Sequence, residues 1–198
     1  MAIETVFVVG AAHVGKDTFA RALAQALNGF GSDVLTRKWT IGNTGDVLLD
    51  ILARVKAAER GVRIPRADPD IWRRLIEADK DRYRPCLVQL GDALREVWPG
   101  QLVDRCVRAG HRIIVGARQR RELSAYSDCH DVLVCHVSRP EWKSPEDGFE
   151  LDVPALLKLF PAERLLLIEN KYGLPDLEQV ARWVADRVKE QQVLSSEC

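Results

Sequence analysis

A run of apolar and β-branched residues from Ile3 to Val9 leads directly into Gly10-Ala11-Ala12-His13-Val14-Gly15-Lys16-Asp17-Thr18. The residues that follow switch to helical spacing, with Phe19, Leu23, Ala26 and Leu27 on one stripe and Gly29 as the stop. Strand, glycine-bounded turn and helix in that order constrain the fold more than anything else in the chain. Glycines let such a turn wrap an anion, its successive amides face the anion's oxygens, and the helix start adds the positive end of its dipole. Lys16 supplies a point charge for the terminal phosphoryl group. The segment approximates G-x-x-x-x-G-K-[ST], except that Asp17 stands where a hydroxyl normally holds magnesium and Thr18 comes one residue late. The reading is a phosphate-binding loop for a nucleoside triphosphate, formed by Gly10, His13, Val14, Gly15, Lys16, Asp17 and Thr18.

The rest of the chain alternates in the same way. Residues 33–39 read as a second strand and 46–60 as a helix, with Val47, Leu48, Ile51, Leu52 and Val55 inward. Residues 61–69 read as a loop, and 70–83 and 85–97 as two helices parted at Arg84-Pro85. A further helix over 101–109 closes at Gly110. Apolar runs at 112–115, 132–137 and 165–168 are the remaining strands. The last helix has Pro175 in its first turn and Leu177, Val180, Ala181, Val184 and Val188 in one stripe. Strands alternating with helices predict an α/β fold, a parallel sheet with helices on both faces. At 198 residues the chain fits a single domain, 1–198, with a helical substrate-side segment over about 44–109. The polar stretch of about 139–152, rich in Lys, Ser, Pro, Glu, Asp and Gly, is a candidate lid.

Composition narrows the class. No apolar stretch is long enough to span a bilayer and no basic-then-apolar leader opens the chain, so the expectation is a cytoplasmic protein with no membrane partner. Cys86, Cys106, Cys129, Cys135 and Cys198 are odd in number and lack metal-ligand spacing, which predicts reduced thiols, several of them buried. Lys plus Arg and Asp plus Glu balance at 29 each, but not locally. Residues 54–121 carry 17 basic against 9 acidic side chains, and residues 122–198 carry 8 against 15. A basic middle beside a phosphate loop points either to an anionic second substrate or to solvated helix faces.

Three segments, Gly15-Lys16-Asp17-Thr18, Leu87-Val88-Gln89-Leu90-Gly91-Asp92-Ala93-Leu94-Arg95 and Ile168-Glu169-Asn170-Lys171-Tyr172-Gly173-Leu174-Pro175, resemble the phage deoxynucleoside monophosphate kinases and their nucleotide-kinase relatives. The resemblance implies a P-loop NTPase fold of the nucleoside monophosphate kinase kind, with ATP and Mg2+ as donor and metal. By it, Asn170 and Lys171 face the adenine, and Gln89 and Arg95 face the acceptor, with Arg84, Asp46 and Asp92 entering the same cleft. The family's Asp-x-Arg-Phe-Pro-Asn-Glu stretch is here Gly116-Ala117-Arg118-Gln119-Arg120-Arg121-Glu122, without the strand-end acid. Arg118 keeps the arginine that would clamp the transferring phosphoryl group, Arg120 would add to the acceptor side, and Arg121 reads as helix surface. Asp17 then serves either as a magnesium ligand with Thr18 or as the base for an alcohol acceptor.

The basic middle, in which Arg63, Arg66 and Arg73 would meet a nucleic-acid backbone, and the aromatics Trp39, Trp72, Tyr83 and Trp98, which would stack a base, bend this resemblance toward one branch. The chain looks like the kinases that phosphorylate 5-hydroxymethyluracil in phage DNA. A deoxynucleoside monophosphate kinase is the second expectation and an inactive nucleotide- or DNA-binding module the third, each compatible with a monomer or an oligomer.

Overall fold

The computed structural model describes residues 2–11, 13–29, 38–59, 69–140, 151–171 and 174–196. Its strands are β1 (Thr5–Val9), β2 (Ile41–Asn43), β3 (Ile113–Val115), β4 (Val132–Ser138) and β5 (Leu165–Glu169). They form one all-parallel sheet in the order β2-β3-β1-β4-β5. The first strand is central, with Val6 opposite Ile113 on one side and Leu133 on the other. Parallel neighbours require long crossovers. These contain α1 (Lys16–Asn28), α2 (Thr44–Glu59), α3 (Pro69–Ala78), α4 (Lys80–Val97), α5 (Gln101–Arg108), α6 (Arg120–Leu123) and α7 (Val153–Leu157), and α8 (Leu174–Ser196) follows the last strand.

Side chains alternate across a strand, and here both faces are covered. Val6, Val8, Ile113, Val115, Leu133 and Cys135 pack with Phe19 and Leu23 of α1 and with Ala181, Val184 and Val188 of α8. Phe7, Val9, Ile114 and Val134 pack on the opposite face with Val103 of α5, Leu123 of α6, and Leu156 and Phe160. That two-sided burial is why the strands read as continuous apolar runs. A third cluster, Leu48, Leu49, Leu52, Ile76 and Leu87, joins α2, α3 and α4 to one another. Cys106 and Cys135 are buried free thiols, which burial pushes up to about 11 and about 12, whereas Cys86 is exposed and Cys198 lies outside the described residues.

Several boundaries differ from the sequence expectation. The second strand is Ile41–Asn43, not 33–39; Lys38 and Trp39 are irregular, and 33–37 lie outside the described residues. Pro85 sits inside α4, and the break between α3 and α4 falls at Asp79. Proline removes the bond its N–H would give the Asp81 carbonyl and crowds that carbonyl, and Asp81 is exposed, so water can reach it. Val55 is exposed, while Leu49 takes the inward place on α2. The loop 61–68 and most of the candidate lid, 141–150, lie outside the described residues.

Candidate functional site

Because the strands run parallel, their carboxyl ends line one edge of the sheet, where the order reverses around β1 and a crevice forms. Gly10 to Gly15, Asn43, Gly116 to Arg118, and Asn170 all leave the sheet at this edge. Gly15 caps α1 in the left-handed region at φ 101°, and a β-carbon there would stand 2.7 Å from the Asn170 side-chain nitrogen. Only glycine meets both demands. His13 is exposed and adopts φ 61°, left-handed without being glycine. Val14 is buried, and its carbonyl accepts from Asn170 Nδ2 at 2.9 Å. Asn170 is itself buried, and its backbone N–H donates to the Ser138 carbonyl at 2.8 Å. The turn after β1 is therefore clamped from β5. Lys171 is exposed beside it, its Nζ 2.8 Å from Glu169.

Lys16 opens α1, and its Nζ donates to the Ala11 carbonyl across the turn at 2.9 Å. Burial lowers its pKa, Asp17 opposes that shift and Arg118 adds to it. Arg118, three residues past the end of β3, is thus near enough for its charge to be felt at Lys16. Asp17 is exposed at the mouth, and its Oδ1 accepts from Asn43 Nδ2 at 3.1 Å. The Asn43 amide is fixed in turn by the Gly45 N–H, which donates to its Oδ1 at 2.8 Å. Thr18 is partly buried in the first turn of α1. Among the described residues no three His, Cys, Asp or Glu side chains converge.

Beyond Lys16 lies a charged cluster that combines expected residues with an unexpected one. Burial lowers the Arg118 pKa, Arg95 and Arg84 lower it further, and Glu122 and Asp92 oppose them. Arg95 is 6% exposed, with Nη1 3.3 Å from Asp92 and Nε 3.1 Å from Glu122 Oε1, off the line of a hydrogen bond. Glu122, fully buried, accepts through Oε2 from the backbone N–H groups of Arg118 and Gln119 at 2.8 and 2.9 Å. Arg84, Asp92, Arg95 and Arg118 are thereby brought together.

Other expected site residues stand apart from this cluster. Asp46 is half-exposed at the start of α2, 4.0 Å from Arg73, and burial raises its pKa against that cation. Arg73 is held more closely by Asp50, at 2.6 Å, in a half-exposed ion pair. Gln89 is exposed on α4. Six residues before Arg95, it lies about 120° around the helix from it. Arg120 and Arg121 are exposed, and Arg121 Nε donates to Gln119 Oε1 at 2.6 Å, which fits a helix-surface role. Trp39 is not a stacking platform: it is buried under the Arg112 guanidinium, 4.0 Å from its ring centre. Trp72 and Tyr83 pack on the α2–α4 cluster, which leaves Trp98 as the exposed member, with Arg108 5.6 Å over its ring. Arg63 and Arg66 lie outside the described residues.

Asn43 and Glu122 were not anticipated. Asn43 belongs to a strand too short and polar to show a period. Glu122 carried a signal, since a glutamate three residues after a cap position is half of a capping box, but the cap is Gln119 and not Ser or Thr. No protein-family model matches this chain, and no curated protein matches it in sequence.

Proposed function

We propose that the protein is an ATP-dependent phosphotransferase that moves the γ-phosphoryl group to a deoxynucleotide acceptor, the hydroxymethyl group of 5-hydroxymethyl-deoxyuridine in phage DNA. The observation that carries the kinase reading is the opposition of Lys16, in a left-handed glycine turn at the start of a helix, to Arg118 from the next strand. Two partly buried cations close enough to feel each other's charge suit the charge that spreads over the transferring group. The turn and the α1 amides would hold the donor phosphates. Lys16 would leave the Ala11 carbonyl for the γ-phosphate. Mg2+ would be held by Asp17, with Thr18 and phosphate oxygens, as a cation that keeps few protein ligands; bound there it would neutralise charge on the phosphates. With a hydroxyl acceptor, the acceptor oxygen bonds phosphorus as the bond to the β,γ-bridging oxygen breaks and ADP leaves. The hydroxyl proton passes to a carboxylate, which is Asp17, oriented by Asn43, only where Thr18 and phosphate oxygens hold Mg2+ in its place.

A second reading, a deoxynucleoside monophosphate kinase, is favoured by the Arg84, Arg95 and Arg118 cluster, since three neighbouring arginines suit a compact dianion. Labelled ATP offered together with hydroxymethyluracil-containing duplex DNA and, separately, with deoxynucleoside monophosphates decides between them. Label in the DNA is the expected result; label only in free nucleotide selects the second reading. Lys16→Ala should abolish either transfer in a folded protein, and Lys16→Arg should be nearly as poor, because a planar guanidinium does not replace a compact ammonium in a tight turn.

A further inference from the structure

The buried carboxylate of Glu122 is the one charged group at the site that meets no solvent and makes no use of itself on the surface. It spans two elements. One oxygen takes the backbone N–H groups of Arg118 and Gln119, which fixes the turn that follows β3. The other stands against Arg95 of α4, and neither that oxygen nor Arg95 Nε has a hydrogen bond. A buried ion pair is expensive to keep, because both charges give up their water. A helix cap alone does not require it, because Gln119 and the amides could be capped at the surface. What the arrangement achieves is to tie the backbone of Arg118 to α4, with the Arg118 charge close enough to be felt at Lys16.

We propose that Glu122 is a positioning residue for phosphoryl transfer, which sets Arg118 over the phosphate turn and ties it to the acceptor-side helix through Arg95. The inference rests on the kinase reading above. It makes turnover depend on Glu122 only through Arg118. ATP, held by the turn and by Lys16 on the other side of the crevice, should bind without regard to it.

A double-mutant cycle tests this on the full chain. Glu122→Gln should lower kcat by about tenfold or more. Its KM for ATP should stay within about twofold of wild type, and in an Arg118→Ala background the same change should alter kcat by less than about twofold. Glu122→Asp provides a second variant that keeps the charge beside Arg95 and withdraws the carboxylate from the two amides, so it isolates positioning from the loss of a buried ion pair. It too should have its effect erased by Arg118→Ala, with an unfolding midpoint close to wild type. Equal, multiplying losses in both backgrounds would overturn the proposal and leave Glu122 as a part of the core. A wild-type protein that forms no ADP with any acceptor overturns the kinase reading and this inference together, whereas a working enzyme with multiplying effects overturns this inference alone.

Discussion

Single side chains divide the work around the crevice by which partner each already has. Arg118 is partly buried and its charge is felt at Lys16, which on the kinase reading makes it the arginine for the transferring group, whereas Arg121 is exposed and occupied with Gln119. Arg118→Ala should therefore cost turnover on the order of a hundredfold, with ATP affinity nearly unchanged, because its interaction strengthens in the transition state. Arg121→Ala should leave both within about twofold. Comparable small losses from the two would mean that the whole cluster is surface. Asn170 is a different case. Its resemblance role is the adenine, but its amide nitrogen is spent on the Val14 carbonyl and stands against Gly15. Removing it leaves a buried carbonyl unsatisfied and the turn unclamped. Asn170→Ala should thus weaken inorganic tripolyphosphate and ATP by the same factor, about tenfold, or about 1.4 kcal/mol. A loss confined to ATP, read by calorimetry with both ligands, would return Asn170 to the base.

At the scale of elements, what could be read from the sequence was what is local. The first strand, its turn and α1 are a contiguous pattern, and β3, β4 and β5 are buried on both faces, so each reads as an unbroken apolar run. The second strand could not be read this way: Ile41-Gly42-Asn43 has three residues, one polar and one glycine, and its place is set by pairing with β3. The α3–α4 boundary was misread because proline was treated as a stop, although a second-turn proline with a solvated partner carbonyl costs little. In the site, Lys16, Asp17 and Arg118 were legible from neighbours in sequence. The Glu122 contact to Arg95 was not, since it joins residues on separate elements. One element also carries a pH prediction. His136 lies buried in β4, and desolvation lowers its pKa below 6.5, with Asp152 opposing. The unfolded chain then takes up a proton that the folded imidazole resists, so this contribution is whole above pH 6.5 and lost as pH falls below it. Urea midpoints should decline from pH 7.5 toward pH 5 (about 2.5 units), and His136→Gln should flatten the part of that decline that begins near 6.5. Parallel profiles for the two proteins would show that the ring titrates alike in both states.

Across the whole molecule the charges balance, yet along the sequence the basic side chains concentrate in residues 54–121 and the acidic ones in 122–198. If DNA is the acceptor, arginines displace counterions along its backbone and acceptor KM should climb steeply with salt, while KM for ATP moves little. Arg73→Glu should disturb α2 and α3 more than DNA binding, because Arg73 is committed to Asp50. A shallow salt response with full turnover on a free deoxynucleotide would assign the basic middle to solvated helix faces. The sheet has one further consequence. The stripe of α1 that carries Phe19, Leu23 and Leu27 is covered by Ala181, Val184 and Val188 of α8, residues that lie at the far end of the chain. A ribosome delivers the turn after β1 and α1 well before this cover, at about 5–20 residues per second. For roughly ten to thirty seconds the nascent chain carries α1 without its α8 cover. Chaperone engagement during synthesis should therefore persist until α8 emerges, and a chain stalled before residue 177 should remain bound.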